Sequence, residues 1–468
     1  MIKRPKGCHD IYGREGKVWL YINEVIEALM DKYNYEFIRT PIFEASELFH
    51  RGIGDSTDIV RKETYDFQDR GERNITLRPE GTAGIVRSFI ENKMYGDNLP
   101  KKFWYNGTMY RYERPQSGRD RELTQFGIEV LGSDDPLADA EVISIPVKLF
   151  ELLGLKEIKV NINSLGDKES RDNYRKALVE YFTPYIDDLC EDCHERLEKN
   201  PLRILDCKVD ADSDILKNAP KTIDYLNEES AERFEKVKRY LEEMSIEYVV
   251  NPNIVRGLDY YNHTVFEIEA KVEGFGAQNV LGGGGRYNGL VEQLDGPETC
   301  GVGFAMGVGR VAMALELEEI DIPINEELDC FVMYVSDDEK EYASKLIQDL
   351  RINGFRVDTE YTGRSLKSQF KQADRMNSKF YILLNDEDIK NGQVKVKNAA
   401  TKDEELVDSD YIVYYLDEAL KYQDEYATYE GFEFEEKHNC SCGDECTCGN
   451  DCNCDDDCDC GCNHGAKE

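Results

Sequence analysis

The sequence predicts an α+β protein in which an antiparallel-sheet core with a helical insertion precedes a smaller α/β domain and a cysteine-rich tail. Two apolar stretches, 103–114 and 123–132, flank a polar loop, which is typical of an antiparallel hairpin. Residues 167–250 are charged and mostly helical in their spacing, and they separate two strand-rich regions. Residues 329–416 alternate strand and helix, which predicts a small domain with a largely parallel sheet.

Apolar periodicity and turn residues predict the remaining elements. Before the hairpin, the sequence predicts a helix at 17–33 and a strand at 35–44 that Pro41 interrupts. The elements expected after the hairpin are a helix at 138–154, a strand at 264–270, a glycine-rich turn into a helix at 282–290, and a strand into a helix at 301–317. In the small domain, we expect 411–416 to be the last strand.

Length and charge limit the classes of protein that fit. The chain has 468 residues, enough for two or three domains, and we expect these to be 1–325, 326–425 and a disordered tail at 426–468. Its 95 acidic residues outnumber 58 basic ones, which argues against nonspecific nucleic-acid binding and leaves a local basic patch for any RNA. We find no apolar run that would span a membrane and no signal peptide, so we expect a cytoplasmic protein.

The hairpin carries a first pair of candidate site residues. Arg111 and Glu113 lie two residues apart on an expected strand, so their side chains should share a face. One interpretation is a surface ion pair. The other is a site in which Arg111 binds a phosphate while Glu113 binds an amine or a metal.

A second candidate set combines two carboxylates with an amide. Gln125 and Glu129 lie two strand periods apart and share a face, while Glu80 and Thr82 lie in a turn that enters a helix. Because buried carboxylates are rare unless they are paired, such a pocket would suit a cationic ligand or one with several hydrogen-bond donors. A solvated sheet face is the alternative.

Two further segments combine arginine with tyrosine or glycine. The run from Arg256 to Tyr261 ends in two adjacent phenols, Tyr260 and Tyr261, which are expected on opposite faces of a strand. Arg310 follows glycines that let the backbone approach a ligand closely. Ordinary packing accounts for each of these features when it is taken alone.

Together, these segments resemble the class II aminoacyl-tRNA synthetases, and within them the histidine-specific family. RTPIFE (39–44), YRYERPQSGRDRELTQFG (110–127) and GVGFAMGVGRVAMAL (301–315) are similar to the three motifs of the class, in order. The segments that are similar to histidine-specific ones are LRPEGT (77–82), RGLDYYNHTVFE (256–267) and GGGRYNGL (283–290). The resemblance covers about 1–425 of the chain. It implies a homodimer that uses ATP and Mg²⁺ to activate L-histidine and then transfers it to tRNA(His).

The resemblance also implies a role for each matching side chain. Arg111 and Arg256 would contact the α-phosphate as catalytic residues, with Arg256 supplying part of the charge that a metal ion usually provides. Glu113 and Arg310, with Arg111, would bind ATP. The residues implied in histidine binding are Glu80, Gly81, Thr82 and Gln125 near the amino group, and Glu129, Tyr260 and Tyr261 near the imidazole. The candidates for the tRNA acceptor end are Gln116, Arg119 and Arg121.

Three positions depart from the family pattern. Leu123 stands where a phenylalanine usually stacks on adenine, His263 replaces a common arginine, and Asn288 replaces a common aspartate. The alternative to a synthetase is a non-catalytic relative with the same fold, a regulatory subunit of ATP phosphoribosyltransferase. Such a protein would be expected to lack the arginine at 256 and the C-terminal domain, and this sequence has both.

The small domain resembles the anticodon-binding domain of the family. Its basic residues recur at positions expected on one helical face, namely Lys367, Lys371, Arg375 and Lys379. Two interpretations of this face remain. It contacts the tRNA backbone, in which case binding would be salt-dependent, or it is only a solvated surface.

Two cysteine clusters are not explained by ligase chemistry. Cys190, Cys193 and Cys207 in the insertion either are free thiols or form a zinc site that His194 could complete. In the tail, Cys-x-Cys pairs predict a site for Zn²⁺ or another soft metal, which would make a metal-buffering or metal-sensing role an additional hypothesis. A reduced acidic tail without metal is the alternative. The nine tail cysteines are Cys440, Cys442, Cys446, Cys448, Cys452, Cys454, Cys458, Cys460 and Cys462.

Overall fold

The computed structural model divides into two compact units, Met1–Ile324 and a unit that begins at Asn325. The residues that it describes are 1–54, 57, 59–116, 118–205, 207, 209–211, 213–254, 260–275, 279–324 and 326–430, with side chains to 421. Among these residues, no helix combines the length and the apolar character that crossing a bilayer requires.

The first unit contains a large sheet, a small sheet and helices on both sides. Its described strands are β1 Glu36–Phe37, β2 Phe43–Ala45, β3 Tyr65–Gln68, β4 Asn74–Leu77, β5 Lys101–Tyr110, β6 Glu122–Leu131, β7 Ile158–Ser164, β8 Tyr248–Val250, β9 Asn262–Ala270, β10 Val280–Arg286 and β11 Gly301–Gly307. Its described helices are α1 Gly13–Lys32, α2 Ser46–Ile53, α3 Thr82–Glu91, α4 Pro136–Leu152, α5 Lys168–Phe182, α6 Glu191–Lys199, α7 Asp214–Lys217, α8 Glu228–Glu243, α9 Leu290–Gln293 and α10 Val308–Leu317.

The large sheet is antiparallel through its middle, as the sequence predicts. Within the described residues its strand order is β1-β5-β6-β11-β10-β9-β7-β8, and only the outer pairs β1–β5 and β7–β8 are parallel. The expected hairpin is confirmed as β5 and β6, although β5 ends at Tyr110, so Arg111 and Glu113 follow the strand rather than extend it. The small sheet has the order β2-β4-β3.

Strand alternation divides the sheet into a helix-covered face and a face that carries a cavity. Phe126, Ile128 and Val130 of β6 are buried in the core that includes α1, α4 and α10. Burial of one such side chain contributes roughly 1.5–3 kcal/mol. The intervening residues Gln125 and Glu129 point to the other face, because successive side chains of a strand alternate.

The glycine-rich segment 282–290 differs from the predicted turn, because most of it is strand β10, hydrogen-bonded to β9 and β11. Glycines reduce strand propensity, but here they let neighbouring strands come unusually close. A Cβ atom at Gly284 would collide with the carbonyl oxygen of Gly303 on β11. The packing of the whole sheet therefore outweighs the local preference for a turn.

A buried ion pair joins β10 to the helices behind it. Arg286 is fully buried, and its Nη2 lies 2.5 Å from Oδ2 of Asp139 on α4. Arg233 on α8 lies 3.3 Å from the same carboxylate. Asn288 orients this region by accepting from Gly301 N at 3.1 Å and from Arg286 Nη1 at 3.3 Å.

The expected insertion is present as helices α5 to α8. Its first part has a hydrophobic cluster of its own, which includes Tyr174, Leu178, Phe182, Cys193 and Cys207. The last helix, α8, instead packs on the main core through Phe234, Val237 and Leu241. The insertion is thus anchored at one end and packed on itself at the other.

The second unit is a five-stranded mixed sheet with helices, in the order β13-β12-β14-β15-β16 within its described residues. Its elements are β12 Leu328–Met333, α11 Asp337–Ile352, β13 Val357–Thr359, α12 Leu366–Arg375, β14 Ser378–Leu383, α13 Asp386–Lys390, β15 Gln393–Asn398, β16 Glu404–Asp408 and α14 Ile412–Glu430. The pairs β12–β13 and β12–β14 are parallel, whereas β14–β15 and β15–β16 are antiparallel, so the prediction of a largely parallel sheet is wrong for half of the strand pairs.

The prediction of a strand at 411–416 is wrong, because this segment begins α14. Ile412 and Leu416 are both buried, and their four-residue spacing puts them on one helical face. The apolar run therefore packs through helical periodicity, which a short run cannot distinguish from a strand.

Candidate active site

A cavity of about 1180 Å³ opens on the face of the large sheet toward which Gln125 and Glu129 point. Most of the described residues with predicted site roles line it, although they come from distant parts of the chain. They are Glu80, Thr82, Arg111, Glu113, Gln116, Arg119, Gln125, Glu129, Tyr260, Tyr261 and Arg310. The fold therefore brings together an acidic and phenolic region and an arginine-rich region.

Glu129 is the buried centre of the acidic region. Its Oε1 accepts a hydrogen bond from Thr82 Oγ1 at 2.6 Å, and its Oε2 accepts one from Tyr287 Oη at 2.5 Å. Burial raises the pKa of Glu129 to about 8, the two hydroxyl hydrogen bonds lower it, and the nearby Glu80 carboxylate raises it. The carboxyl of Glu129 is therefore largely neutral near neutral pH.

Glycine makes room for this carboxyl. Gly303 on β11 stands directly opposite Glu129 in the register, and a Cβ atom at Gly303 would overlap the Glu129 carboxylate. The glycines of the third family motif thus serve the cavity wall as well as the strand. This function cannot be recognised without the pairing of β6 with β11.

Sequence reasoning missed Tyr287 and Tyr105. Tyr287 belongs to the glycine-rich segment, but only the strand geometry of β10 directs its phenol to Glu129. The Tyr105 ring lies so close to Gly81 and Gly127 that a Cβ atom at either position would collide with it. Tyr105 Oη is buried and has no hydrogen-bond partner among the described residues. The aromatic richness of 103–114 was the one available signal.

Glu80 and Gly81 form the entry to α3. The two carboxylate oxygens of Glu80 accept from the backbone N–H groups of Thr82, at 2.7 Å, and Ala83, at 2.9 Å. These bonds fix the carboxylate at the positive end of the helix. Burial raises the pKa of Glu80, and the hydrogen bonds and Arg111 oppose that change. Each oxygen retains a lone pair for a ligand.

Gln125 adds a further hydrogen-bond acceptor to this wall. Its Oε1 atom is buried and has no partner among the described residues. Tyr260 and Tyr261 are both buried beside it in the cavity, with ring centroids 4.7 Å apart, rather than on opposite faces of a strand. They precede β9, which begins at Asn262, so strand alternation does not apply to them.

The arginine-rich region is held by backbone carbonyls. Arg111 Nε donates to Pro79 O at 2.9 Å, and Arg310 donates to Gly118 O at 3.0 Å and to Val280 O at 2.8 Å. The pKa of Arg310 is lowered by burial and by Arg119 and Arg111, against the opposing charge of Glu113. The guanidinium groups of Arg111, Arg119 and Arg310 line this region together, and they offer charged hydrogen-bond donors to an anionic ligand.

The hairpin tip presents the residues predicted for the tRNA acceptor end. Gln116 and Arg119 pair through their backbones in a tight turn at the cavity rim. Arg119 Nη1 lies 3.6 Å from Glu113 Oε2. Arg121 instead stacks on the Tyr112 ring at 3.8 Å and donates to Glu113 O at 3.1 Å, so it supports the tip rather than lining the cavity.

The family departures have different consequences. Leu123 lines the cavity, where its partly buried side chain offers apolar contact without an aromatic face. His263 has a left-handed backbone with φ of 46°, and burial, with Arg233 and Arg286 nearby, lowers its pKa to about 4. The ring is therefore neutral. It adds no further positive charge beside the ion pair of Arg286.

Two sets of predicted residues lie outside the described part of the chain. Arg256 falls within 255–259, and the nine tail cysteines fall within 431–468. Lys379 differs from the prediction in another way, since it lies on β14, 3.6 Å from Glu327, and not on the helical face of Lys367, Lys371 and Arg375.

Comparison with known proteins points to a single family. The histidyl-tRNA synthetase model matches residues 7–311, and the anticodon binding domain model matches residues 329–419. A histidine–tRNA ligase of Bacillus cytotoxicus is 51% identical over 420 residues, which are 90% of this chain and 99% of that protein. A histidine–tRNA ligase of Staphylococcus aureus is 50% identical over 418 residues, 89% of this chain and 100% of that protein. The crystal structure of apo S. aureus histidyl-tRNA synthetase matches with a TM-score of 0.77 and 44% identity, over 89% of this chain and 100% of that one.

Proposed function

The chain belongs to the histidyl-tRNA synthetase family, and we propose that its cavity binds histidine at the acidic and phenolic region and ATP at the arginine-rich region. The family consists of class II ligases. They activate histidine with ATP and then transfer it to tRNA(His). The proposal concerns which residues of this chain perform each part. Its strongest support is the buried, ligand-facing set of Glu80, Gln125 and Glu129.

Histidine presents hydrogen-bonding groups at both ends. Its ammonium group would bind Glu80 and the free Oε1 of Gln125, with Thr82 and Gly81 shaping the turn between them. Its imidazole has two distinct nitrogens, which Glu129 and Tyr261 would bind, with the ring of Tyr260 beside that of Tyr261. A site that hydrogen-bonds its substrate on both ends rejects apolar analogues by roughly 10⁴-fold or more.

ATP would place its phosphates between Arg111 and Arg310. The carboxylates of Glu113 and Glu122 line the same cavity, and such oxygen donors fit a Mg²⁺ ion that is also held by phosphates. When bound, Mg²⁺ supplies positive charge to the phosphates. The backbone carbonyls that hold both arginines fix their guanidinium groups before the substrate arrives, so little reorganisation is needed.

The first step joins the two regions. A histidine carboxylate oxygen attacks the α-phosphorus, a new P–O bond forms, and the bond to the pyrophosphate breaks on the opposite side. Arg111 and Arg256 would stabilise the charge on the phosphorus. In the second step, the terminal hydroxyl of the tRNA attacks the histidyl carbonyl and AMP leaves. Gln116 and Arg119 would guide the acceptor end at the hairpin tip, and Arg121 would support the tip from behind through Tyr112 and Glu113.

The decisive test is ATP–pyrophosphate exchange with each amino acid. Exchange is expected with histidine, and exchange with another amino acid instead would overturn the assignment of the cavity. Arg256→Ala should abolish exchange while histidine still binds, because that arginine acts on the phosphate and not on the amino acid. A rate near wild type for Arg256→Ala would contradict its role.

The regulatory-subunit alternative is less consistent with the chain. The sequence has an arginine at 256, and the C-terminal residues 329–419 match an anticodon binding domain. We therefore propose that the first unit is catalytic and that the second binds the anticodon of the tRNA. The exposed residues Lys367, Lys371 and Arg375, at four-residue spacing on α12, would contact the RNA backbone.

We also propose that the protein is a cytoplasmic homodimer. In the small sheet, Phe43, Tyr65 and Phe67 lie on one face, because Phe43 and Tyr65 both pair with Leu77 and Phe67 pairs with Ile75. Phe43 is 58% exposed and Phe67 is 46% exposed. A second copy of the chain would cover this apolar face.

For the tail, we propose soft-metal binding, because nine closely spaced thiols cannot form an apolar core. Replacement of all nine tail cysteines by serine in the full chain should lower the metal content measured by native mass spectrometry. Equal metal content in both proteins would contradict the proposal. Aminoacylation is expected to be unaffected, since the family resemblance ends before the tail.

A further inference from the structure

Four side chains of the insertion converge around the start of α6. Cys190 precedes the helix, Cys193 lies in its first turn, and Cys207 and Asp210 follow it. One donor atom from each of the four lies within 4.8 Å of all the others. Cys190 Sγ is 3.5 Å from the Sγ atoms of both Cys193 and Cys207. His194, the fourth ligand that the sequence offered, is exposed and lies outside this group.

The separations match a tetrahedral zinc site. Zinc bonds of about 2.3 Å to sulfur and about 2.0 Å to oxygen place neighbouring sulfurs about 3.8 Å apart, and sulfur and oxygen about 3.5 Å apart. Asp210 Oδ2 lies 3.3 Å from Cys193 Sγ and 3.2 Å from Cys207 Sγ. These two sulfur–sulfur and two sulfur–oxygen separations are each about 0.3 Å shorter than around a bound ion.

The backbone holds two of the donors in place. Asp210 Oδ2 accepts from Cys190 N at 3.1 Å, and Cys193 N donates to Cys190 O at 2.8 Å in the tight turn of the Cys-x-x-Cys segment. A disulfide does not explain the cluster, because the sulfurs are 3.5 Å apart and a disulfide bond is about 2.05 Å. Nor does apolar packing, since it gives no reason for a carboxylate to point at three thiols.

We propose that Cys190, Cys193, Cys207 and Asp210 bind one Zn²⁺ ion that stabilises the insertion. Four protein ligands close the coordination sphere, which is typical of structural rather than catalytic zinc. Binding would release three thiol protons to water and leave a net charge of −2 on the cluster. Arg196 on α6, adjacent to Cys193 and Cys207, would offset part of that charge.

The ion would fasten the part of the insertion that packs on itself. Cys193 and Cys207 are both buried in its hydrophobic cluster, yet they belong to α6 and to the loop that follows. Arg175 on α5 donates to Lys199 O, at the end of α6, at 3.1 Å. A metal bridge between α6 and the following loop would therefore also hold α6 against α5.

The test uses the full chain with its nine tail cysteines changed to serine, so that the tail cannot contribute metal. Elemental analysis after purification from zinc-supplemented cells should give one zinc per chain. Cys207→Ser in this protein should reduce the zinc content to near zero, and Cys8→Ser, at an unrelated free thiol, should leave it at one. An absence of zinc in the parent protein, or unchanged zinc in Cys207→Ser, would overturn the proposal.

A second variant separates metal binding from folding. Asp210→Cys keeps four ligands but exchanges oxygen for sulfur, so zinc content should remain one per chain. In the cobalt-substituted proteins, the thiolate-to-cobalt charge-transfer absorption should rise by about a third as the thiolates increase from three to four. Unchanged absorption would show that position 210 is outside the coordination sphere and would overturn the four-ligand site.

Discussion

At the residue scale, Glu129 is a fully buried carboxyl in the wall of the cavity. Its carboxyl accepts hydrogen bonds from Thr82 and Tyr287 in a fully buried position, and Glu80 adds a second negative charge nearby. The neutral form is favoured in the free protein because desolvation opposes the charge. A ligand that brings an imidazole N–H to Glu129 reverses this preference, since a carboxylate accepts that hydrogen bond better than a carboxyl.

Histidine binding should therefore release a proton from Glu129. With a pKa of about 8, the residue is protonated below that pH in the free protein, and it becomes ionised in the complex. Titration calorimetry in buffers of different ionisation enthalpy should detect release of about one proton per site near neutral pH, falling toward zero as the pH rises above 8.

Glu129→Gln provides the comparison for this measurement, because glutamine keeps the shape of the side chain but cannot ionise. Its histidine affinity should fall by roughly 10–100-fold, as expected when a hydrogen bond to a charged group is lost, at about 1.5–3 kcal/mol. The proton release should disappear. Equal release in wild type and Glu129→Gln would assign the proton to another group.

At the scale of elements, Asp139 joins three parts of the first unit. Its carboxylate on α4 contacts Arg286 on β10 and Arg233 on α8 of the insertion. Both Asp139 and Arg286 are fully buried. The position of β10, and with it that of Tyr287, therefore depends on a buried ion pair whose members are distant from each other in the chain.

Asp139→Ala should destabilise the protein by about 3–5 kcal/mol, because removing one partner leaves a buried arginine uncompensated. Chemical denaturation would measure this change. Asp134→Ala is the matched control, since Asp134 also lies near Arg286 and Arg233 but is 66% exposed. Its effect should be below about 1 kcal/mol. Similar losses in the two variants would contradict the special role of the buried pair.

At the scale of the whole molecule, the net charge of −37 makes the location of basic residues decisive for RNA binding. Changing Lys367, Lys371 and Arg375 together to glutamate should raise the KM for tRNA at least tenfold and flatten its salt dependence. ATP–pyrophosphate exchange, which requires no tRNA, should remain near wild type. Changing two exposed lysines of α11, Lys340 and Lys345, to glutamate is the control, and an equal effect there would show that the location on α12 is irrelevant.

The dimer proposal also belongs to the whole molecule. Phe43→Asp puts a charge into the apolar face of the small sheet, so analytical ultracentrifugation should show a shift from dimer to monomer. Ile352→Asp changes another exposed apolar residue, 72% exposed, in the second unit and should leave the dimer intact. A dimer that persists in Phe43→Asp at low micromolar concentration would exclude this face.

The sequence by itself determined the hairpin β5–β6, the helical insertion and the family, because these depend on local periodicity and on motifs contiguous in the chain. The wrong assignments of two segments have a common cause. The segments at 282–290 and 411–416 are short and rich in glycine or apolar residues, and their local preferences are weak. Pairing of β10 with β9 and β11 made the first segment largely a strand. Burial of Ile412 and Leu416 on one face made the second a helix.

Only the tertiary structure decided how the site is assembled. The sequence predicted Glu129, but the close approach at Gly303 and the hydrogen bond from Tyr287 depend on the register of three strands. Likewise, the Cys-x-x-Cys segment indicated a metal half-site, but folding of the following loop brought in Asp210 instead of His194. Residue type and spacing indicate which chemistry is available. Contacts between residues distant in the chain determine which side chains meet, because they depend on packing that no local pattern encodes.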